Sequence, residues 1–399
     1  MMLALLCAGV ALANGDLSHL WITARAVDRL PAGELRDLVA DPAYADMLEN
    51  GSIFPDGGYA VNDGYGEAAH WEPFQRRYAA WIRATHGPPP YTGEAAEHAA
   101  FLLGMASHGM ADQVFDALYM ERARYEDAAS DWENDSMDEA TDAAFAASVG
   151  PQDYGALWVP EELMAQLMAE AGHEVEADTI HLGQVLVRVA AQWAWNAGSQ
   201  PEVLADYQRR FPWATGHQLD VTVRGTPLDE ADAVARYWQV LWRALEDPAE
   251  DVGEVLWAWP GEGAVIPATA ADNPQSRLAV VFSRGLLDPE LEETDIAVTD
   301  EGGQPISVEP RLFYGDDSHV LLLAPTDGWP PPQVCTLRLP GALPFSDPAT
   351  LPDEAPFTRS FRSGPLPPES GCAARPGAGR LGLALLGLVG LIGRRGKSG

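Results

Sequence analysis

Three side chains able to bind a metal recur within one stretch, Ala99 to Asp116 (AAFLLGMASHGMADQVFD), where His108, Asp112 and Asp116 are spaced i, i+4 and i+8. On an α-helix that spacing stacks them on one face. The surrounding run is apolar, so the helix reads as a buried wall that faces charge. A core helix whose histidine is hydrogen-bonded and whose aspartates face water satisfies the same spacing. Further candidates lie elsewhere. In GSIFPDGGY, Asp56 follows a proline and precedes two glycines, a loop able to bring a carboxylate and bare backbone close to a site. In AAHWEPF, His70 stands at the N-terminal edge of the next helix, and Asp138 and Asp142 repeat the i, i+4 spacing. Imidazole nitrogens mixed with carboxylate oxygens are donors that zinc accepts, and a catalytic site keeps one position for water. For the last pair the alternative is a solvated acidic loop, since residues 126–142 are crowded with acids.

The elements that must position these residues follow from periodicity. Up to about Pro260 apolar residues recur every three or four positions, predicting helices over 19–30, 31–48, 71–85, 93–123, 137–147, 160–171, 179–197, 201–211 and 229–245. Residues 50–67, rich in Gly, Asp and Tyr, read as a loop. Trp238 and Trp242 fall at helical spacing and are expected in the core. After Pro260, β-type runs at 278–282, 296–299, 312–314, 320–323, 335–339 and 357–361 alternate with Gly, Pro and Asp turns. That spacing fits a compact β-sandwich of about 100 residues. Cys335 alternates with Leu337 and Leu339 and reads as a buried thiol without chemistry.

Composition narrows the function classes. At 399 residues and 47% hydrophobic, the chain can bury a sizeable core and hold two domains. With 25 Lys+Arg against 59 Asp+Glu, the formal charge of -34 repels a phosphate polymer unless bound cations reverse the local sign. Nucleic acid is therefore not expected as a partner. Met2 to Ala13 is an apolar segment closing on Ala11-Leu12-Ala13, the small-x-small pattern of a signal peptide, although a basic n-region is missing. Cleavage after Ala13 makes Asn14 the first residue of an exported chain. Two cysteines so differently placed as Cys335 and Cys372 predict no disulfide framework. Gly371-Cys372, an apolar run from Leu381 to Ile392 and the basic Arg394, Arg395 and Lys397 form a short anchor-like tail.

Several of these stretches resemble known families. The tail resembles the MYXO-CTERM sorting tail, which implies processing near Cys372 and delivery to the cell surface. The stretch RLAVVFSRGLLDPELEETDIAVTDEGGQPI resembles the opening of bacterial immunoglobulin-like domains. GSIFPD, HWEPF, AFLLGMASHGMAD and LWVPEEL resemble the N-terminal domain of glycosylphosphatidylinositol-specific phospholipase D, within the zinc-dependent phospholipase C superfamily, over roughly Asn14 to His217. The expected organisation is then a signal peptide (1–13), an all-α zinc-dependent phospholipase C-like domain (14–262), a small all-β Ig-like sandwich (267–363), a linker (364–379) and a hydrophobic tail (380–399).

This resemblance implies up to three zinc ions. Asp56, His70, His108 and Asp112 would hold one. Asp112 would bridge to a second, bound by His19 and by the amino group and carbonyl of Asn14, which stands five residues before His19. At the third position the family has a histidine where Asp116 stands and a His-x-x-x-Glu/Asp pair where Asp138 and Asp142 stand. An all-carboxylate set is harder than zinc prefers, so calcium, manganese or magnesium could sit there, or the position could be empty. The implied activity is metal-dependent hydrolysis of a phospholipid or glycolipid phosphodiester at a membrane surface, with Asp56 as ligand and candidate general base. Two alternatives stand beside it: a zinc-dependent nuclease on the same scaffold, and a catalytically impaired surface protein that binds a partner through its β-part.

Overall fold

The computed structural model describes residues 15–128, 137–152, 154–268, 273–291, 296–330, 332–341, 343–346, 351–352 and 356–365. The expected signal peptide, Asn14, the tail and nearly all of the linker lie outside the described residues. At the centre is helix α7 (Glu94–Val114), buried on every side along most of its length, as its nearly unbroken apolar sequence requires. Before it come α1 (Asp16–Arg29), α2 (Glu34–Val39), α3 (Ala45–Ser52), α4 (Phe54–Ala60), α5 (Tyr65–His70) and α6 (Glu72–His86). Gly51 of α3 and Gly104 of α7 let the two backbones touch: a Cβ at Gly51 would stand 2.3 Å from the Phe101 carbonyl oxygen, and one at Gly104 2.2 Å from that of Leu48. Residues 50–67, expected as a loop, are instead α4 and α5. Their glycines pack backbone on backbone, a Cβ at Gly58 coming within 2.2 Å of the Gly66 nitrogen.

Helix α7 does not run on regularly to Ala123. It widens into a π-helical turn, Phe115–Met120, before α8 (Glu121–Glu126) resumes the α-form. Such turns place one extra residue in the helix and re-aim the side chains beyond it. Then come α9 (Met137–Val149), α10 (Glu161–Glu170), α11 (Ala177–Gly198), α12 (Pro201–Arg210) and α13 (Pro227–Glu246). Trp238 is fully buried and its Nε1 donates to the Leu103 carbonyl at 2.7 Å, so the tryptophan at that position is core as expected.

The expected fold, an all-α domain followed by a separate Ig-like sandwich, is corrected by the strands. They begin at β1 (Val252–Gly253) and β2 (Val255–Trp259), inside the span assigned to the helical domain. They continue as β3 (Val265–Pro267), β4 (Leu278–Leu286), the short helix α14 (Asp288–Leu291), β5 (Ala297–Thr299), β6 (Val308–Leu312), β7 (Ser318–Pro325), β8 (Gln333–Leu339), β9 (Leu351–Pro352) and β10 (Phe357–Gly364). Two four-stranded sheets result, one ordered β2-β4-β7-β6 and the other β3-β10-β8-β5, with β3 and β10 parallel. The first sheet is a shared wall. Ala279, Val281, Val320 and Leu322 belong to one core with helix α7 and helix α13, whereas Leu278, Val280, Phe282, Leu321 and Leu323 pack toward the second sheet. All of β4 is buried, the pattern of a strand covered on both faces. The helical and sheet parts therefore have one continuous core where two separable domains were expected. Cys335 is a free, buried thiol inside the second sheet's core, as expected.

Polar side chains fix the seam between the two parts. Glu72, at the start of α6 and 2% exposed, lies 3.1 Å from Arg284 Nη1 of β4 and 3.3 Å from Arg76 Nη1, and it accepts from the Gly285 amide at 2.7 Å. Asp251 pairs with both arginines. On β7 the His319 amide donates to Gln113 Oε1 at 2.7 Å, one residue beyond Asp112.

Candidate metal centre

Four helices deliver the donors. His108 and Asp112 come from one face of α7, as their spacing predicts. Asp56 comes from the first turn of α4 and His70 from the last residue of α5. His70 reaches α7 because of Gly109, where a Cβ would stand 2.1 Å from the His70 carbonyl oxygen. His19, fully buried on α1, approaches from the other side.

The resulting geometry is narrow. The Nε2 atoms of His70 and His108 lie 2.9 Å apart. Asp112 Oδ2 stands 3.3 Å from the first and 3.4 Å from the second, and Asp56 Oδ1 stands 3.7 and 3.6 Å from them. Donors at zinc-binding distance around a tetrahedral centre are separated by about 3.3 Å, and these separations bracket that value. The other oxygen of Asp112, Oδ1, is 3.1 Å from His19 Nε2. Asp112 is thus placed between two donor groups, one oxygen toward each.

Hydrogen bonds set the imidazole tautomers. His70 Nδ1 donates to the Gly66 carbonyl at 2.7 Å and His108 Nδ1 to the Ser52 carbonyl at 2.8 Å. A carbonyl oxygen only accepts, so each neutral ring turns an Nε2 lone pair inward. Two lone pairs this close repel unless a proton or a cation lies between them. Without a cation, burial opposes charge on His108, but Asp112 and Asp56 outweigh burial and hold its pKa well above the usual value. Burial likewise opposes charge on Asp112, and His19 and His108 outweigh it and hold that carboxyl well below its usual range. His19 is kept neutral by burial and by His108, and its Nδ1 is buried without a hydrogen-bond partner, as is Asp56 Oδ2. Neutral imidazoles and ionised carboxylates are the forms that bind divalent cations. The donor set fits an ion.

The remaining expected ligands are not gathered in this way. Among the described residues, the groups close enough to hold an ion are His19–Asp56–His108 and His70–His108–Asp112, and neither includes Asp116, Asp138 or Asp142. Asp116 falls in the π-helical turn, lines the same cavity as Asp112, and its Oδ2 accepts from the Tyr314 hydroxyl. Asp138 lines the same cavity as Asp116. Asp142 turns to α1, accepting from Ser18 N at 3.1 Å and Ser18 Oγ at 2.8 Å, with burial pushing its carboxyl up to about 6. Gly15 fits against it only because it has no side chain: a Cβ there would stand 1.9 Å from Asp142 Cγ. The all-carboxylate trio therefore does not form a third donor group of the kind expected.

One acid went unread in the sequence. Asp16 is 3% exposed, and burial, then Asp56 and Asp142, raise its pKa well above the usual value. It precedes His19 by one helical turn, and that i, i+3 relation was the available signal. The cavity beside the cage holds about 250 Å³ and is lined by Tyr59, His70, Trp71, Asp112, Asp116, Arg124, Asp138 and Tyr314, among others. Of the aromatic residues near Asp56 and His70, Tyr59 and Trp71 line it, whereas Phe54 and Tyr65 are fully buried in the core.

No family model matches the chain. A stretch of 69 residues is 39% identical to a phosphatidylinositol-glycan-specific phospholipase D of Dictyostelium discoideum, spanning 17% of this chain and 7% of that protein. Among solved structures, an LD transpeptidase in complex with imipenem is 17% identical with a TM-score of 0.19, over 28% of this chain and 40% of that one. A bacterial S-layer protein is 11% identical with a TM-score of 0.21, over 82% of this chain and 45% of that one. Structural likenesses this slight support no statement about fold or activity.

Proposed function

We propose that this chain hydrolyses the phosphodiester of a phospholipid or glycolipid, using two divalent cations, zinc by donor type, held by Asp56, His70, His108, Asp112 and His19. The observation that supports it is the placement of Asp112, with one oxygen among Asp56, His70 and His108 and the other at His19. The partial likeness to a phospholipase D points to the lipid class of substrate. Ions so held supply a nucleophile from water at neutral pH and neutralise charge on the phosphoryl oxygens. The chain's own part is to fix the donors through the Gly66 and Ser52 carbonyls, to keep solvent from the buried faces of His19 and His108, and to offer Asp56 Oδ2, the carboxylate oxygen without a partner, as acceptor of a proton. Tyr59 and Trp71 wall the approach.

The test uses the metal-loaded chain on vesicles of phosphatidylcholine or phosphatidylinositol and on single-stranded DNA. The expected result is lipid turnover that a chelator abolishes and zinc restores. Metal-loaded protein without turnover on any of the three overturns the reading, and turnover confined to DNA reassigns it.

A membrane surface is the partner this reading requires, reached after export. Among the described residues no helix is long and apolar enough to cross a membrane. Support for surface contact comes from α11, where Leu182, Val189 and Trp193 are exposed at i, i+7 and i+11 on one face. Between Leu182 and Gly198 the one charged residue is Arg188, which donates to the Tyr154 and Gly155 carbonyls. In a chain of charge -34, an uncharged apolar stripe suits a lipid interface. Trp193→Glu is expected to weaken vesicle binding about tenfold while turnover of a soluble phosphodiester stays unchanged. Equal vesicle binding by the two proteins refutes the assignment of this face.

A further inference from the structure

We propose that Tyr314, carried by the C-terminal sheet, stands where a third ion was expected and forms part of the wall that holds the substrate headgroup. The inference rests on the two-cation reading above and adds that the site is finished by the sheet. Tyr314 sits in the turn between β6 and β7, where Gly315 and Asp317 adopt positive φ of 83° and 67°. The turn is pinned at both ends. Phe313 N donates to the Val320 carbonyl at 3.3 Å, and beyond the turn the His319 amide is bound to Gln113 Oε1. From this base the Tyr314 ring meets the Trp71 ring edge-on, with centroids 5.2 Å apart, and its hydroxyl donates to Asp116 Oδ2.

Three carboxylates would have to converge to hold an additional ion. One oxygen of Asp116 is engaged by a phenol, and Asp116 belongs to neither of the donor groups close enough to hold an ion among the described residues. Asp142 is held by Ser18. Of the other two, Asp138 shares with Asp116 the cavity that Glu67 and Asp112 also line. At that end the fixed positive charge is Arg124, which lines the same cavity. A phosphoryl group with its headgroup would thus meet a guanidinium and a phenol where an ion was expected, with Trp71 and Tyr314 as the side wall. Tyr314 is a positioning residue: it orients the headgroup and Asp116 and takes no part in bond making.

The experiment counts metal per full-length chain after zinc loading and removal of excess, for the wild-type protein and Tyr314→Phe, and measures kcat and KM on phosphatidylinositol vesicles. Two ions per chain in both proteins, with KM raised about fivefold to tenfold in the variant and kcat within twofold, is the expected result. Three ions in the wild-type protein, or an unchanged KM in the variant, overturns the proposal. Zero ions in the wild-type protein overturns the two-cation reading itself and this proposal with it, so the two failures are distinguishable.

Discussion

On the two-cation reading, Asp112→Asn is expected to strip metal from both donor groups and to lower phosphodiester turnover by roughly 100-fold or more. Each of its oxygens faces a different histidine: Oδ2 lies 3.3 Å from His70 Nε2, and Oδ1 lies 3.1 Å from His19 Nε2. An amide keeps the shape but offers one neutral oxygen and an NH₂ that cannot bind a cation. Losing an outer partner of a ligand already costs 10- to 100-fold in affinity or activity by general experience, roughly, and a shared ligand exceeds that. Metal analysis beside turnover checks it: bound zinc should fall from two per chain to below one. Retention of two ions with normal turnover would show that Asp112 is only a buried partner of the histidines. A circular dichroism spectrum of the variant separates fold loss from ligand loss.

The second large effect is on stability. Glu72→Ala is expected to cost about 3 kcal/mol or more. Glu72 is 2% exposed, serves Arg284 and Arg76, and accepts the Gly285 amide. Its removal leaves the 1%-exposed Arg284 side chain to share Asp251 with Arg76 and strips a buried amide of its acceptor. For a chain of this size the melting temperature should drop by roughly 5–10 °C. Glu72→Gln, which still offers an acceptor to Gly285, should recover part of that loss. A thermal scan of all three proteins decides it, and an alanine variant that melts with the wild type would show that the seam contributes nothing. The same scan bears on the site, because Glu72 follows His70 by two residues and anchors the sheet that carries Tyr314.

Residue type and helical spacing made the His108–Asp112 pair legible, and the residues joined to them by resemblance, Asp56, His70 and His19, do come together in space. Asp116 shows where spacing stops being informative. The i+8 relation does put Asp116 on the same cavity as Asp112, but it carries no sign that the Tyr314 hydroxyl takes its Oδ2. The Gly-rich segment holding Asp56 reads as a loop because helix propensity counts glycine as a breaker, whereas here glycines let α4, α5 and α7 approach one another. Tyr314 was read as the end of a strand and proved to be a turn residue that reaches a helix about 200 positions earlier, a relation no local pattern carries. The apolar run at 278–282, the start of β4, held the evidence against a separate sandwich, since a strand exposed on one face alternates.

The shared sheet has a consequence in time. Synthesis proceeds from the N-terminus, and helices whose contacts are local can form as they emerge. The faces of α7 and α13 that meet Ala279, Val281, Val320 and Leu322 cannot be covered until β7 has left the ribosome, some 80 residues after α13 is complete. Through that interval the nascent chain presents an apolar surface beside a half-walled cavity. The cavity beside the donor cluster is therefore completed only once the strands that carry Tyr314 are in place.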